Sequence, residues 1–262
     1  MSIIQESKLR PSDSTPIIDG YSTIRRDRLH TTGGGLLLFI KKDIRIEQLH
    51  SIEKAALEIL PVRVQINKNK WITISNVYIP NTKTQFTNFD SRLLRASDDT
   101  ILLGDLNGHS PLWDLSTTPD IRGEEIEDWV FNNDLNILND GSPTRTSRID
   151  GSTSTPDVSI CGRRWTSHTT WKTVTPIGNS DHLPILITIN HNITYHPLIP
   201  RALGDQILST GGTSVTTLKK SLTIYHPRPT LPKEFKDLTK FLSLLQKFML
   251  VNQNLNEQRS LG

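Results

Sequence analysis

Three short stretches set polar side chains of the kinds used in hydrolysis directly against apolar segments. In Gly104-Asp105-Leu106-Asn107-Gly108-His109 a carboxylate and a carboxamide stand two residues apart. In an extended exit from a strand, that spacing points Asp105 and Asn107 the same way, where together they can position a water and a phosphoryl oxygen. The plainer alternative is an Asx-rich turn. Asn179-Ser180-Asp181-His182 precedes the apolar run Pro184-Ile185-Leu186-Ile187. A histidine beside an aspartate at a strand entrance suits an imidazole oriented or kept protonated by a carboxylate, a metal-linked pair, or a histidine satisfied structurally. Gln5-Glu6 adds a carboxylate after Ile3-Ile4, a place equally natural for a solvated glutamate. Together Glu6, Asp105, Asp181, Asn107 and His182, with no thiolate among them, form the donor set of a hard cation such as Mg2+, not of zinc or iron. Hard cation, histidine and carboxylate suit phosphoester hydrolysis, in which the metal polarises the phosphoryl oxygen and a base activates water.

Such residues need strands to hold them. Residues 71–79 are rich in β-branched and aromatic types, and residues 100–104, 157–161 and 184–189 are brief apolar runs bounded by Gly, Pro, Asn or Asp; all read as strands. Residues 36–40 follow Gly33, Gly34 and Gly35 and read as another strand after a flexible turn. Phe86, Phe89, Leu93 and Leu94 share one face of a helix across residues 84–96. Ile126, Trp129, Val130 and Leu135 repeat that pattern after Gly123, with Glu124, Glu125 and Glu127 in the first turn, where the helix dipole favours anions. Short strands with a few helices between them predict a mixed α/β sandwich, sheets facing and helices outside.

The 262 residues allow one large domain, or one with an appendage. Cys161, the single cysteine, excludes an intrachain disulfide and a thiolate zinc cluster and points to a reducing compartment. Residues 36–40 fall far short of the ~18 residues of a membrane span, and the first twenty residues lack the blocks of a signal peptide. The expectation is a soluble intracellular protein with no membrane partner. The net charge of +3 is unevenly spread. Residues 191–262 hold nine Lys or Arg against four Asp or Glu, so residues 1–190 are slightly acidic. Beyond residue 195 prolines, glycines and Ser/Thr clusters read as a linker, and only residues 235–251 recover a helical period.

Six stretches occur in a recognisable order: Ile4-Gln5-Glu6-Ser7-Lys8-Leu9; Gly33-Gly34-Gly35 with the following Leu36-Leu37-Leu38-Phe39-Ile40-Lys41-Lys42; Asn76-Val77-Tyr78-Ile79-Pro80; Leu103-Gly104-Asp105-Leu106-Asn107; Thr155-Pro156-Asp157-Val158; and Ser180-Asp181-His182. In that order they resemble the endonuclease/exonuclease/phosphatase family of Mg2+-dependent phosphodiesterases. His109-Ser110-Pro111-Leu112-Trp113 and Arg122-Gly123 narrow the resemblance to endonuclease domains of non-LTR (LINE- or jockey-like) retrotransposons. The resemblance implies an α+β, four-layer α/β sandwich over residues 1–192, with two facing mixed sheets flanked by helices, followed by a linker and basic tail over residues 193–262. It implies that Glu6 binds Mg2+, or Mn2+ in its place, with Asp181 near the metal. Asp105 would orient or deprotonate the attacking water, and Asn107 would hold the scissile phosphate. His182 would stabilise the phosphate's developing charge with Asp157 as its partner, Tyr78 would add a hydroxyl, and Thr144 and Ser180 would contact DNA. The implied activity is nicking of target DNA, in the nucleus, for a reverse transcriptase region of the same element.

The resemblance also implies an opening strand, ending in a catalytic Asn, and a helix ahead of the Glu6 segment; both are missing here, so the expectation is a truncated product or a replacement strand. Two rival readings share the residues: a repair nuclease for abasic sites or another phosphoesterase, such as an inositol or lipid phosphatase, and an inactive remnant that binds nucleic acid through its tail. Elsewhere, His109 reads as a loop brace, Trp113, Trp129, Trp165 and Trp171 as core or rim, and Arg25-Arg26-Asp27-Arg28 as a solvated run or, near the cleft, a contact for DNA phosphates.

Overall fold

The computed structural model describes residues 1–28, 33–54, 57–81, 97–175, 180–190 and 219–225. Fifteen strands occur among them: β1 Ser2–Ile4, β2 Tyr21–Arg26, β3 Leu36–Lys41, β4 Ile46–Gln48, β5 Ile52–Lys54, β6 Leu57–Asn67, β7 Lys70–Tyr78, β8 Thr100–Asp105, β9 Leu135–Ile137, β10 Arg145–Thr146, β11 Thr153–Ser154, β12 Asp157–Gly162, β13 Thr169–Thr173, β14 Ile185–Asn190 and β15 Lys219–Tyr225. One α-helix, α1 Ile121–Asn132, lies between β8 and β9. The first sheet runs β13-β14-β15-β1-β3-β2 and the second β4-β6-β7-β8-β12-β9, with β5 also on β6. Both are mixed: β1 is parallel to β15, β7 is parallel to β8, and the other pairs are antiparallel. The expected helices over residues 84–96 and 235–251 lie outside the described residues.

Period-2 alternation decides which face of the second sheet meets what. Val62, Val64, Ile72, Ile74, Ile101, Leu103 and Cys161 point inward and form one core with Ile3, Leu36, Leu38, Ile185 and Ile187 of the first sheet. Ile59, Val77, Leu102, Val158 and Ile160 point outward against Ile126, Trp129 and Val130 of α1. The helix starts at Ile121, ahead of Gly123, because the Asp120 side chain accepts the Gly123 N–H at 2.7 Å and caps it. It stops before Leu135, which begins β9 instead, after Asp134 turns left-handed at φ +53°.

The longest strand, β6, is absent from the sequence expectation because Pro61 interrupts its pattern, and a proline argues against a central strand. Its tolerance has a local cause. The Pro61 carbonyl accepts Leu49 N–H at 3.3 Å, so the ring nitrogen faces the same side, at the gap where β4 ends and β5 has not begun. No ladder donor is needed there.

A polar link crosses the apolar interior at the end of β1. Asn76, on β7 and fully buried, donates its amide to the Ile4 carbonyl at 2.9 Å and accepts from the Gln5 amide at 2.5 Å. It thereby ties the end of β1 to the facing sheet. The first sheet also takes in β15, from the stretch the sequence assigns to a tail; it fills the position between β1 and β14.

Replacing Asn76 by Leu keeps the volume but strands a buried carbonyl and a buried amide, at about 1–3 kcal/mol per orphaned group. Thermal melting of Asn76→Leu should show a loss of ~5–15 °C for a chain of this size; an unchanged midpoint would show that the link adds nothing.

Candidate active site

The ends of six elements converge on one edge. Tyr78, Asp105 and Asp157 occupy a single rung across β7, β8 and β12, paired Tyr78 with Asp105 and Asp105 with Asp157. Register neighbours share a face, so the ladder itself lines up a phenol and two carboxylates. Opposite them, β1 leads into Glu6, and the segment entering β14 brings Ser180, Asp181 and His182. The β10–β11 hairpin docks alongside through a bridge between Arg145 and His182.

Asp157 is fully buried, and its Oδ2 accepts from His182 Nδ1 at 2.9 Å and from the Thr144 hydroxyl at 2.6 Å. Burial alone would lower the His182 pKa, but Asp157, with further help from Asp105 and Asp181, outweighs it and pushes the value up to about 9. At neutral pH the ring is an imidazolium with Nδ1 committed to Asp157, so the donor it can offer the cleft is Nε2–H. The Ser180 hydroxyl accepts the His182 backbone N–H at 3.1 Å and fixes the approach to the ring.

Tyr78 donates its hydroxyl to Glu6, and Lys8 Nζ lies 3.6 Å from the same carboxylate. Burial, reinforced by Glu6, holds the Tyr78 pKa well above the usual phenol range, so it stays a donor. The Arg28 guanidinium sits 5.5 Å above the Tyr78 ring and pairs with Glu58, which is fully buried and also binds Arg26 at 3.1 Å and Gly35 N–H at 2.8 Å. The run read as solvated is thus partly turned inward: Arg26 and Arg28 face a buried carboxylate, in a constellation that sequence reasoning missed because Glu58 lies in the unrecognised β6. Glu6 and Asn107 both adopt left-handed backbone, at φ +52° and +47°. Neither is glycine, and strain of this kind gathers where neighbours over-determine the chain at working sites.

These groups open onto a cleft of about 240 Å3 lined by Glu6, Tyr78, Asn81, Asp105, Asn107, His109, Arg145, Ser154, Pro156, Asp181 and His182. Six expected residues therefore line it directly. Asp157 stands behind His182, and Ser180 and Thr144 are buried, at 6% and 0% exposure. Thr144, expected at the DNA surface, spends its hydroxyl on Asp157. Asn81, Arg145 and Ser154 carry no signal in the sequence beyond adjacency to motifs. Arg145 pairs with Asp181 at 3.0 Å. His109, read as a brace, does bind Asp120 at 3.0 Å, while its ring also reaches the cleft wall. Trp113, Trp129 and Trp165 are core residues as expected.

Among the described residues no three His, Cys, Asp or Glu side chains form a ready cation cage. The cleft nevertheless offers hard oxygen donors from Glu6, Asp105, Asp181 and Asn107, beside the imidazoles of His109 and His182. Magnesium takes one or two carboxylates and keeps several waters, and this donor set fits that habit.

Because the folded pKa of His182, about 9, lies above its ordinary 6.5, the Asp157–His182 pair stabilises fully below pH 6.5 and loses its contribution as pH rises through 9. The total at stake is about 3 kcal/mol. In metal-free buffer the melting advantage of the native chain over Asp157→Asn should shrink between pH 6.5 and 9; a constant difference across that window would contradict the ion pair.

Residues 72–186 match the model of a family described as endonuclease-reverse transcriptase. No curated protein matches the chain. Among solved structures, the endonuclease domain of TRAS1, a telomere-specific non-LTR retrotransposon, is similar with a TM-score of 0.54 at 19% identity, covering 65% of this chain and 80% of that one. Truncated Caenorhabditis elegans TDP2 gives a TM-score of 0.42 at 12% identity, over 71% and 81% of the two chains. The family anticipated from six ordered motifs is thus met by an independent sequence match over residues 72–186 and by the fold: the chain has the endonuclease/exonuclease/phosphatase fold, and it is similar to a retrotransposon endonuclease domain.

Proposed function

We propose that this chain hydrolyses phosphodiester bonds in DNA, nicking one strand and leaving a 3′ hydroxyl from which a reverse transcriptase region of the same element primes synthesis. The observation that carries the reading is the cleft in which His182, held by buried Asp157, faces Asp105, Asn107 and Glu6. Asp105 orients the attacking water and accepts its proton. Asn107, fixed by donating its side-chain amide to the Ile79 carbonyl at 2.9 Å, holds a non-bridging oxygen of the scissile phosphate. The His182 imidazolium donates to the phosphoryl oxygens and meets the negative charge that grows in the transition state, where a preorganised donor counts most. Tyr78 holds Glu6 in place through its hydroxyl. Arg145 belongs to the surface that meets flanking phosphates, while Ser180 contributes through His182 and Thr144 through Asp157.

Glu6 and Asp181 would hold Mg2+, or Mn2+, whose part is to polarise the phosphoryl oxygen and neutralise charge. The alternative substrates of the same chemistry differ in the DNA they need, so the test carries both. Supercoiled plasmid incubated with the chain and Mg2+ should relax to the open circle with a polymerase-extendable 3′ end. Asp105→Ala and His182→Ala should each lose at least ~10²-fold. Absence of nicking with either cation, or a His182→Ala variant as fast as the native chain, would refute the proposal. Cleavage of an abasic duplex far in excess of intact DNA would move the assignment to a repair activity.

A further inference from the structure

We infer that Arg122 is a positioning residue for Asn107, acting from the first turn of α1 through the backbone of the loop that carries the site. This deepens the phosphodiesterase reading above and rests on it for its kinetic readout. Arg122 is 8% exposed and points away from solvent, into the junction between two strand exits. Its Nη1 donates to the carbonyl of Asn107 at 2.9 Å and to those of Leu106 and Pro80 at 3.3 Å each. One guanidinium nitrogen therefore ties together the exits of β7 and β8, the two segments that bring Tyr78 and Asp105 to the cleft. Asn107 spans the same junction from the other side, through its side-chain bond to Ile79.

The loop needs such a tie. Asn107 sits at φ +47°, a conformation that a residue with a Cβ leaves unless its surroundings hold it. Its carbonyl is the one Arg122 reaches most closely, so the guanidinium acts on the very peptide whose rotation would swing the carboxamide out of the cleft. The helix that carries Arg122 is itself pinned to this loop. Asp120 caps α1 and also accepts the His109 backbone N–H at 3.1 Å. At Gly123 a Cβ would stand 1.8 Å from the His109 carbonyl oxygen, so only glycine lets the helix come this close. With the helix start fixed, the guanidinium has one place to be. Burying a cation is expensive unless its donors are used; three carbonyls at the edge of a cleft give it that use, and a neutral side chain could not replace the charge-assisted bonds.

A misplacement of about 1 Å at a reacting group can cost ~10²-fold in rate, and that is the scale expected here. With the full-length chain and the plasmid assay, Arg122→Gln should lower kcat by about 10- to 100-fold with KM within about twofold. Combined with Asn107→Ala, Arg122→Gln should add less than about a twofold further loss, since residues acting as a unit are not additive. An equal loss in both backgrounds would make Arg122 a general structural residue and overturn the inference. Backbone amide exchange probes the same tie without requiring activity. In Arg122→Gln the amides of residues 106–108 should exchange faster while those of residues 62–66 keep their protection. Unchanged exchange at 106–108 would overturn the inference even if the native chain nicks DNA, and local loosening would uphold it even if the plasmid test refuted the nuclease reading. Should Arg122→Gln not fold, Arg122→Lys, which keeps the charge, takes its place in both measurements.

Discussion

The buried carboxamide of Asn76 is the interaction on which the geometry of the cleft depends. Two sheets packed through apolar side chains alone can slide, because dispersion and burial have little direction. A hydrogen-bonded amide has direction, and its bonds to Ile4 and Gln5 fix how far the end of β1 extends over β7. Glu6 follows immediately, and Tyr78 stands two residues beyond Asn76, so their meeting across the interface is set by the link beside it. In an interior of low dielectric such a bond is strong when made and costly when broken. Here it sits at the one end of the sandwich where precision matters.

The rest of the cleft is built by two different means. Tyr78, Asp105 and Asp157 need no special device, since the register of three neighbouring strands aligns them. Asn107 and Glu6 lie past the ends of their strands in left-handed backbone, and ladder hydrogen bonds no longer hold them. Side chains from elsewhere do so instead: Arg122 and Asp120 from α1 on one side, Tyr78 and, behind it, Arg28 and Glu58 on the other. The site thus has a rigid row and two braced corners.

What the sequence made legible follows the same division. Strands with uninterrupted apolar runs, such as β3, β8, β12 and β14, stood out because burial on both or alternate faces leaves a clear pattern. Asp105 and His182, beside such strands, could be read by position, whereas Asp157 came from the resemblance of the ordered motifs. β6 was hidden by Pro61, which is harmless only because of a gap in a neighbouring strand that no local pattern records. With β6 went Glu58, and with Glu58 went the reason Arg26 and Arg28 turn inward. Arg122 and Arg145 were invisible as functional residues for a related reason: an arginine's role depends on which carbonyls or carboxylates tertiary structure brings to it, and those lie far away in the chain. Thr144 was noticed, but its hydroxyl serves a carboxylate rather than the surface.

The strand β15 bears on the order in which the molecule can come together. Its parallel pairing with β1 joins residues more than 200 positions apart, Ser2 with Thr223, and its antiparallel pairing with β14 closes the other side. Contacts of such long sequence separation demand the largest loop closure and form late. Until residues 219–225 leave the ribosome, β3 is the one neighbour of β1 among the described strands, and its other edge lacks the partner it has in the finished sheet. The half of the cleft built on β8 and β12 can be finished well before then. The strand that leads into Glu6 therefore gains its second neighbour only after residues 219–225 have been made, later than the strands that carry Asp105 and Asp157.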